Sequence, residues 1–381
     1  MKTYDAVIAG GGLIGASIAL ELAEAGLKVA LYDAREPGKE ASWASAGMIS
    51  PAPENPGMIP FMPMSLASAA LYPEFIRKVE ELTGKESGYQ KSGALDVILD
   101  EDVEKAQEEL STIIALQRGV GLHAEAISAG RAREMEPALN EDTQAAIFRA
   151  DEGSLDARAF TQVVLQAARQ RGVEIFARNG AKALKRDGNC CCGLLLEDGE
   201  IEAKWTIVAA GCFSARIAGA EPYAPVAPAK GQMAALRCEA VEIKHILWLG
   251  HKYLVPRKDG RIIAGSTIEQ AGFDRHVTAG GIQAILSEVI KIVPALENAQ
   301  IDETWAGLRP DSPDHLPIIG PTDVKGLLIA TGHFRSGILL APITARLIRE
   351  WVTTQRVSVD WTRVSPLRFL EAKGKVVSFR C

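Results

Sequence analysis

The chain has 381 residues, of which 47% are hydrophobic and 24% charged, a composition typical of a globular protein long enough for two domains. Its formal net charge of −6 carries no basic excess, which argues against nucleic acid as a partner. No apolar run approaches the roughly 18 residues that a transmembrane helix needs. The six cysteines, three of them adjacent, form neither a disulfide framework nor a C-x-x-C pair, so we expect reduced thiols, no metal site and a cytoplasmic protein.

The N-terminal segment predicts a strand–helix–strand unit. Residues 3–9 form a short apolar run typical of a buried parallel strand. Residues 16–25 have helical periodicity, and residues 27–33 predict a second strand that ends in an acid. Because the first strand begins at once, we expect no signal peptide ahead of it.

The turn between the first strand and the helix fits the G-x-G-x-x-G pattern of dinucleotide-binding folds. Gly10 permits the tight turn, Gly12 lets a pyrophosphate approach the backbone, and Gly15 lets the helix pack against the strand. The helix N-terminus offers free N–H groups to phosphates. Asp33, eighteen residues after Gly15, can accept hydrogen bonds from ribose hydroxyls and disfavours a 2′-phosphate.

A run of small residues at 40–51 follows the second strand. Such residues let the backbone lie against a planar ligand, and their hydroxyls and amides can bind phosphate or ribityl oxygens. A nicotinamide domain would usually continue here with another helix and strand, so the segment favours FAD over NAD. A flexible Ala/Ser loop is the alternative interpretation.

The remaining chain predicts further alternating elements. Predicted helices cover 65–83 (kinked or broken at Pro73), 103–116, 156–171 and 337–356. Predicted strands cover 93–99, 172–176, 205–211 and 326–332, with a hairpin at 184–197 that carries the adjacent cysteines. The Pro- and Met-rich residues 53–64 predict a mobile connection or lid.

The motifs along the whole chain resemble those of the D-amino-acid oxidase superfamily of FAD enzymes, and within it the bacterial glycine oxidases of the thiamine pathway. The matching segments are 10–15, Ala46-Gly47-Met48, Asp151-Glu152-Gly153 with Asp156, Ala209-Ala210-Gly211, Lys230-Gly231-Gln232, 253–257, 305–310 and 332–342. The Gly-Leu-Arg-Pro segment followed by Gly-His-Phe-Arg-x-Gly is highly specific.

This resemblance implies an α/β fold class with two domains. A Rossmann-like FAD-binding domain of the glutathione-reductase type, discontinuous in sequence, would comprise 1–85, 146–222 and 306–381. An α+β substrate domain with a mixed or antiparallel sheet would comprise 86–145 and 223–305.

The resemblance also implies the site. Arg309 would bind the substrate carboxylate with help from Tyr253, and Arg335 would lie beside flavin and substrate. We assign His333 to flavin contact rather than to a catalytic base, because hydride transfer from a neutral amine needs no protein base. Residues implied in FAD contact are Gly10, Gly12, Leu13, Ile14, Gly15, Asp33, Ala34, Ala41, Ser42, Ala46, Gly47, Met48, Ala181, Gly211, Gly332, His333, Phe334, Arg335, Ser336, Gly337, Ile338 and Leu339. No cysteine falls in the C-terminal flavin segment, so we expect non-covalent FAD.

The implied activity is oxidative deamination of glycine, sarcosine or a small D-amino acid, with O2 reduced to H2O2, serving thiamine thiazole biosynthesis, in a homo-oligomer. A dehydrogenase that passes electrons to a quinone, an NAD-linked dehydrogenase and a flavin-binding scaffold are the alternatives. Trp43, Cys212-Phe213 and Ile268 depart from the family pattern and leave the pocket shape, and so the preferred substrate, open.

Overall fold

The computed structural model describes residues 3–52, 59, 61–99 and 103–372. Among these, the helices are α1 (Leu13–Glu24), α2 (Ala41–Ala44), α3 (Met62–Thr83), α4 (Val103–Gly119), α5 (Ala129–Met135), α6 (Ala157–Gln170), α7 (Ala279–Ile292), α8 (Gly337–Thr354) and α9 (Arg368–Ala372). The strands are β1 (Tyr4–Ala9), β2 (Val29–Tyr32), β3 (Met48–Ile49), β4 (Ala94–Ile98), β5 (Ala124–Ser128), β6 (Ala145–Arg149), β7 (Gly153–Ser154), β8 (Glu174–Phe176), β9 (Ala181–Asp187), β10 (Cys190–Leu196), β11 (Glu200–Val208), β12 (Ala227–Arg237), β13 (Ile246–Leu249), β14 (Lys252–Pro256), β15 (Ile262–Gly265), β16 (Gln300–Asp311), β17 (Ile318–Pro321) and β18 (Leu327–Thr331).

The first sheet is Rossmann-like. Its eight strands include the order β17-β18-β11-β1-β2-β8, with the β9–β10 hairpin joined to β11. β1 pairs in parallel with both β2 and β11, and β11 pairs in parallel with β18. All four residues of β2 are buried, as expected of a parallel strand covered on both faces. α1, α3, α6 and α8 contribute to one hydrophobic core against this sheet.

The second sheet is mixed and supplies the other half of the α/β fold. Its eight strands run β16-β12-β15-β14-β13-β4-β6-β5, and all neighbours are antiparallel except β13 and β4. α7 packs on it through Ile285, Val289 and Ile292. The predicted fold class is therefore confirmed. The predicted domain limits 145/146 and 305/306 fall inside β6 and β16, both strands of this sheet, and the division into domains stays a prediction.

Two segments differ in detail from what the sequence predicts. Helix α3 continues through Pro73, so the predicted break is wrong, while a kink there stays a prediction. The hydroxyls of Ser68 and Tyr72, in the turn before Pro73, donate to the carbonyl oxygens of Leu339 and Ile338 and so fasten α3 to α8. The run at 40–51, for which a flexible loop was the alternative interpretation, contains α2 and the short strand β3, which pairs with β7.

The predicted lid at 53–64 lies largely outside the described residues, and its last residues, 62–64, begin α3. No helix within the described ranges is both long and apolar enough to cross a bilayer.

Candidate active site

A cavity of about 810 Å³ lies where the carboxyl ends of β1, β2 and β11 face the second sheet. In parallel α/β sheets this edge is the usual ligand-binding position. The lining includes Ala9 and Tyr32 from the first sheet, and Met233, Tyr253 and Arg309 from the second. Residues from both ends of the chain therefore meet in one cavity.

The cavity brings together all the predicted site residues except three glycines, Gly15, Gly47 and Gly332, which do not line it. A Cβ on Gly15 would lie 2.0 Å from the Gly10 carbonyl oxygen, and a Cβ on Gly47 would lie 2.0 Å from the Leu155 carbonyl oxygen. Gly15 and Gly47 therefore allow close backbone packing next to the cavity wall, and the contact of all three glycines with FAD stays a prediction.

The glycine turn leaves amide donors at one end of the cavity. Gly10 has φ of 110°, and a Cβ there would lie 2.4 Å from the Ala209 carbonyl oxygen. Gly12 caps α1 with no side-chain hydrogen bond, while the Leu13 N–H donates to Ser42 Oγ at 3.0 Å. The other backbone N–H groups of this first turn lie at the N-terminus of α1, where the helix dipole favours a bound anion.

Asp33 completes this end of the cavity. Its carboxylate accepts hydrogen bonds from the Gly11 N–H at 2.7 Å and the Arg35 N–H at 2.8 Å. Burial raises the pKa of Asp33, and these two hydrogen bonds oppose the shift. Gly180 lies so close to Ala34 that a Cβ would approach the Ala34 Cβ to 2.5 Å. The arrangement suits a ribose against the acid and an adenine beside this backbone.

The middle of the cavity is bounded by the small residues around Ala46. The Arg257 guanidinium donates to the Ala46 carbonyl oxygen at 2.5 Å, and the Leu155 N–H donates to the Gly47 carbonyl oxygen at 2.9 Å. Burial lowers the pKa of Arg257 to about 10, which leaves it charged at neutral pH. Arg257 thus fixes a segment that lines the cavity, a contact between distant parts of the chain that sequence inspection did not predict.

Arg309 and Tyr253 lie at the other end. The Arg309 Nη1 donates to the Thr267 carbonyl oxygen at 3.2 Å and Nη2 to Ser266 Oγ at 2.8 Å. Burial is the main cause that lowers the pKa of Arg309; the positive charge of Arg335 lowers it further, and Tyr253 opposes both. Three side chains that the resemblance linked are therefore close together.

The segment after β18 forms the remaining wall. His333 is buried, and its Nε2 lies 3.0 Å from Thr344 Oγ1. Burial lowers its pKa to about 3. Phe334 has φ of 46°, which is uncommon for a non-glycine residue, and a short 3-10 helix there leads into the N-terminus of α8 at Gly337. The uncapped first turn of α8 therefore faces the cavity.

Two of the departures from the family pattern lie away from the cavity wall. Trp43 packs outside it, with the Arg158 guanidinium 3.6 Å from its ring centroid. Ile268 is 53% exposed and does not line the cavity either. Cys212 and Phe213, in contrast, do line it.

Other lining residues were not predicted from the sequence. Tyr253 pairs across the sheet with Trp248, and Trp248 pairs with Asp96, so the three side chains follow one another along the same face. Asp96 is paired with Arg149 at 2.5 Å. The proximity of these side chains depends on strand register between distant segments, which has no local signal in the sequence.

These residues fit a flavin adenine dinucleotide. The glycine turn and α1 amides suit a pyrophosphate, Asp33 suits a ribose, and the small residues near Ala46 suit a planar ring system. Residues 5–351 match the DAO family of FAD dependent oxidoreductases.

Two similar proteins match nearly the whole length of this chain. The bifunctional protein ThiO/ThiG of Synechocystis sp. is 36% identical over 97% of this chain and 54% of its own length. The chain thus spans about half the length of that relative. The glycine oxidase of Geobacillus kaustophilus is 30% identical over 98% of both chains.

The crystal structure of the Geobacillus kaustophilus glycine oxidase superposes with a TM-score of 0.91, at 30% identity over 97% of this chain and 99% of that chain. A match of this quality extends the similarity from sequence to the arrangement of both sheets. The chain belongs to the DAO family of FAD-dependent oxidoreductases.

Proposed function

We propose that this chain is an FAD-dependent amino-acid oxidase acting on glycine, sarcosine or a small D-amino acid. The observation that carries the proposal is the half-buried Arg309, close to Tyr253 and Arg335, in the same cavity as the dinucleotide-type glycine turn. The amino acid would lose two electrons and two protons to become an imine, and O2 would take them up as H2O2. Water then converts the imine to a 2-oxo acid and ammonia or an amine.

Arg309 anchors the substrate carboxylate. Each terminal guanidinium nitrogen carries a second N–H beyond the one used towards Ser266 or Thr267, so the fork keeps donors for two carboxylate oxygens. The Tyr253 hydroxyl adds a neutral donor without a further buried charge. Two anchors fix the orientation of the α-carbon, which is how binding lowers the barrier of the chemical step.

When bound, FAD supplies the two-electron acceptor. The cationic Arg335 and the N-terminal dipole of α8 favour negative charge in this part of the cavity. His333 is neutral and paired with Thr344, so it does not accept the amine proton. The amine must therefore be unprotonated when the carbon–hydrogen bond breaks, and kcat/KM should rise with pH as the amine loses its proton.

We also propose that FAD is held without a covalent bond. Cys212 is a cysteine that lines the cavity, and burial raises its pKa to about 12. A thiol with that pKa supplies almost no thiolate at neutral pH. The similarity to a ThiO/ThiG protein supports a supply role in thiamine thiazole synthesis.

The direct experiment adds glycine, sarcosine, D-alanine and D-proline separately to the FAD-loaded protein without oxygen. Bleaching of the flavin band, followed by reoxidation in air with H2O2 release, is the expected result. Bleaching with slow reoxidation would instead favour a dehydrogenase that uses a quinone or another acceptor. Absence of bleaching with all four compounds would contradict an amino-acid oxidase of this specificity.

Replacing Arg309 tests the carboxylate anchor. Arg309→Ala should raise KM for the best substrate by about a hundredfold, because a buried carboxylate loses its charged partner. Arg309→Lys keeps the charge without the fork and should recover only part of this loss. Arg261→Ala, which breaks an ion pair outside the cavity, is the control; equal effects in Arg309→Ala and Arg261→Ala would remove Arg309 from the site.

A further inference from the structure

We infer that Lys230-Gly231-Gln232, a motif without an assigned role, is a positioning device that holds the Arg309 guanidinium ready for a carboxylate. The inference rests on the proposed function, in which Arg309 binds the substrate. The three residues lie on β12, which pairs with β16, the strand that carries Arg309. Side chains alternate along a strand, so Gly231 shares a face with Arg309 while Lys230 and Gln232 face the opposite way.

Gly231 is the floor on which the guanidinium lies. A Cβ at this position would lie 2.2 Å from Arg309 Nη1, 2.4 Å from Nη2 and 2.5 Å from Cζ. Any side chain larger than hydrogen would therefore displace the whole guanidinium plane. Its backbone φ is not in the left-handed region, so close approach, rather than chain conformation, is the reason for glycine here.

The acceptors that orient the guanidinium lie on the short segment after β15. Ser266 Oγ and the Thr267 carbonyl oxygen accept from Arg309. The next residue, Ile268, is 53% exposed, so its apolar side chain does not anchor this segment. Hydrogen bonds to Gln232 and Lys230 do.

Gln232 ties the segment down from the opposite face of β12. The backbone N–H of Gln232 donates to Thr267 Oγ1 at 2.9 Å, and the Thr267 hydroxyl in turn donates to Glu269 Oε1. The Gln232 Nε2 donates to the same Glu269 oxygen at 2.8 Å and to Thr278 Oγ1 at 3.0 Å, while its Oε1 accepts from the Thr278 N–H at 2.8 Å. The side chain is fully buried with its amide groups bonded.

Lys230 fixes the far end of the segment. Its backbone exchanges two hydrogen bonds with Glu269, at 3.0 and 2.9 Å. Lys230 as a whole is 1% exposed. Its ammonium nitrogen lies 3.3 Å from Glu269 Oε2 and 3.1 Å from Asp274 Oδ2. A buried ammonium needs such partners, so Glu269 is held by charge as well as by backbone bonds.

The consequence is preorganisation. Arg309 has a floor at Gly231 and two acceptors whose positions are set by Gln232 and Lys230, so its rotamer is chosen before a ligand arrives. Loss of any link should leave the charge in the cavity but spread it over several orientations, which weakens carboxylate binding. Lys230 and Gln232 are positioning residues, because they act on the substrate only through Arg309.

The first test is Gly231→Ala, with Gly280→Ala as the matched control. The added methyl at 231 meets the end of a flexible side chain, so the protein should fold, whereas at 280 it meets nothing within 4 Å. The probe is acetate, a carboxylate that cannot be oxidised as an amine, titrated calorimetrically into the FAD-loaded protein. Gly231→Ala should raise the Kd for acetate by about a hundredfold, the effect also expected of Arg309→Ala, and Gly280→Ala should leave it unchanged.

The second test is Thr267→Val, with Thr267→Ser as the conservative rescue. Valine keeps the shape and the carbonyl that Arg309 uses but removes the hydroxyl that links Gln232 to Glu269. Acetate Kd and substrate KM should each rise about tenfold with kcat nearly constant, and serine should restore most of the affinity. Glu136→Gln weakens a buried hydrogen-bond cluster elsewhere and should lower Tm without changing KM.

A double-mutant cycle separates the possible failures. If Thr267→Val acts through Arg309, it should cause no further loss of acetate affinity in an Arg309→Ala background. An additive loss would show a merely structural role and overturn the inference. Unchanged acetate affinity in both Gly231→Ala and Thr267→Val, with a large loss in Arg309→Ala, would overturn it and leave the proposed function intact. Unchanged affinity in Arg309→Ala itself would overturn the proposed carboxylate anchor.

Discussion

His333 shows how burial decides the chemistry of a single residue. A histidine in a glycine-rich segment beside an oxidation site suggests a general base, yet its imidazole is buried and its pKa is lowered to about 3. Its Nε2 pairs with Thr344 on α8. The residue thus braces the cavity wall and contributes no charge to it at physiological pH.

This burial makes the stability of the protein depend on pH. An unfolded chain would protonate His333 near pH 6.5, whereas the folded chain resists until about pH 3. Between these two pH values the unfolded state binds more protons than the folded state. The contribution of His333 to the free energy of unfolding is therefore fully present above pH 6.5 and is lost as the pH falls. We expect His333→Gln to remove about 2 kcal/mol of the loss in unfolding free energy between pH 7 and pH 5.

Urea unfolding of the two proteins at pH 5, 6, 7 and 8 measures this difference. Glutamine can still donate to or accept from Thr344, so the comparison isolates the titration. His123→Gln, at an exposed histidine, is the control. Parallel pH profiles for wild type and His333→Gln would contradict the assignment.

At the scale of elements, an arginine joins α6, α2 and β16. The Arg158 guanidinium lies 3.6 Å from the Trp43 ring centroid and 4.6 Å from that of Trp305, and its Nη1 donates to Glu303 at 2.8 Å. The Trp305 Nε1 donates to the Ala44 carbonyl oxygen at 3.0 Å. α2, which lines the cavity through Ser42, is therefore fastened to the strand that carries Arg309.

Arg158→Ala should lower the free energy of unfolding by about 1–2 kcal/mol, because it removes the stacked cation and its ion pair together. Arg158→Lys keeps the charge but not the planar stacking and should recover less than half of that loss. Arg77→Ala, in an exposed helical ion pair, should cost less than about 0.5 kcal/mol. Denaturant melts of the three variants provide the measurement, and a loss in Arg158→Ala no larger than in Arg77→Ala would contradict the stabilising role of Arg158.

How well a contact could be predicted from the sequence depends on how far apart its residues lie along the chain. The glycine turn and the strand that leads to Asp33 were predictable, because their geometry is set by residues within thirty positions of one another. The contact of Trp43 with Arg158 and Trp305 was not, since residues far apart in sequence meet only through the packing of two sheets. The continuity of α3 through Pro73 was not predicted either, and there the side chains before the proline bond to α8, which is distant in sequence. Arg309 and Tyr253 are proposed as carboxylate anchors from the resemblance alone, whereas the residues that surround Arg309 are evident only in the structure.

Segments from the N-terminal and C-terminal parts of the chain line the same cavity. β1 and α1 provide the turn at Gly10, while α8 provides the opposite N-terminus at Gly337. The second sheet supplies a third wall through Tyr253 and Arg309. A ligand that fills this space contacts all three parts, so its binding energy should stabilise the folded chain as a unit.

That linkage gives a prediction about FAD. If binding is non-covalent, the unfolding free energy should increase by about 1.4 kcal/mol for each tenfold rise in free FAD above its Kd, since only the folded chain provides the cavity.

Gly15→Ala places a methyl 2.0 Å from the Gly10 carbonyl oxygen, a backbone atom that cannot turn aside, and should shift this dependence to higher FAD concentrations. Gly119→Ala, where a Cβ meets nothing within 4 Å, should follow the wild type. Chemical unfolding across a series of FAD concentrations measures the slope. A stability independent of added FAD, with flavin retained by the denatured chain, would show a covalent bond instead.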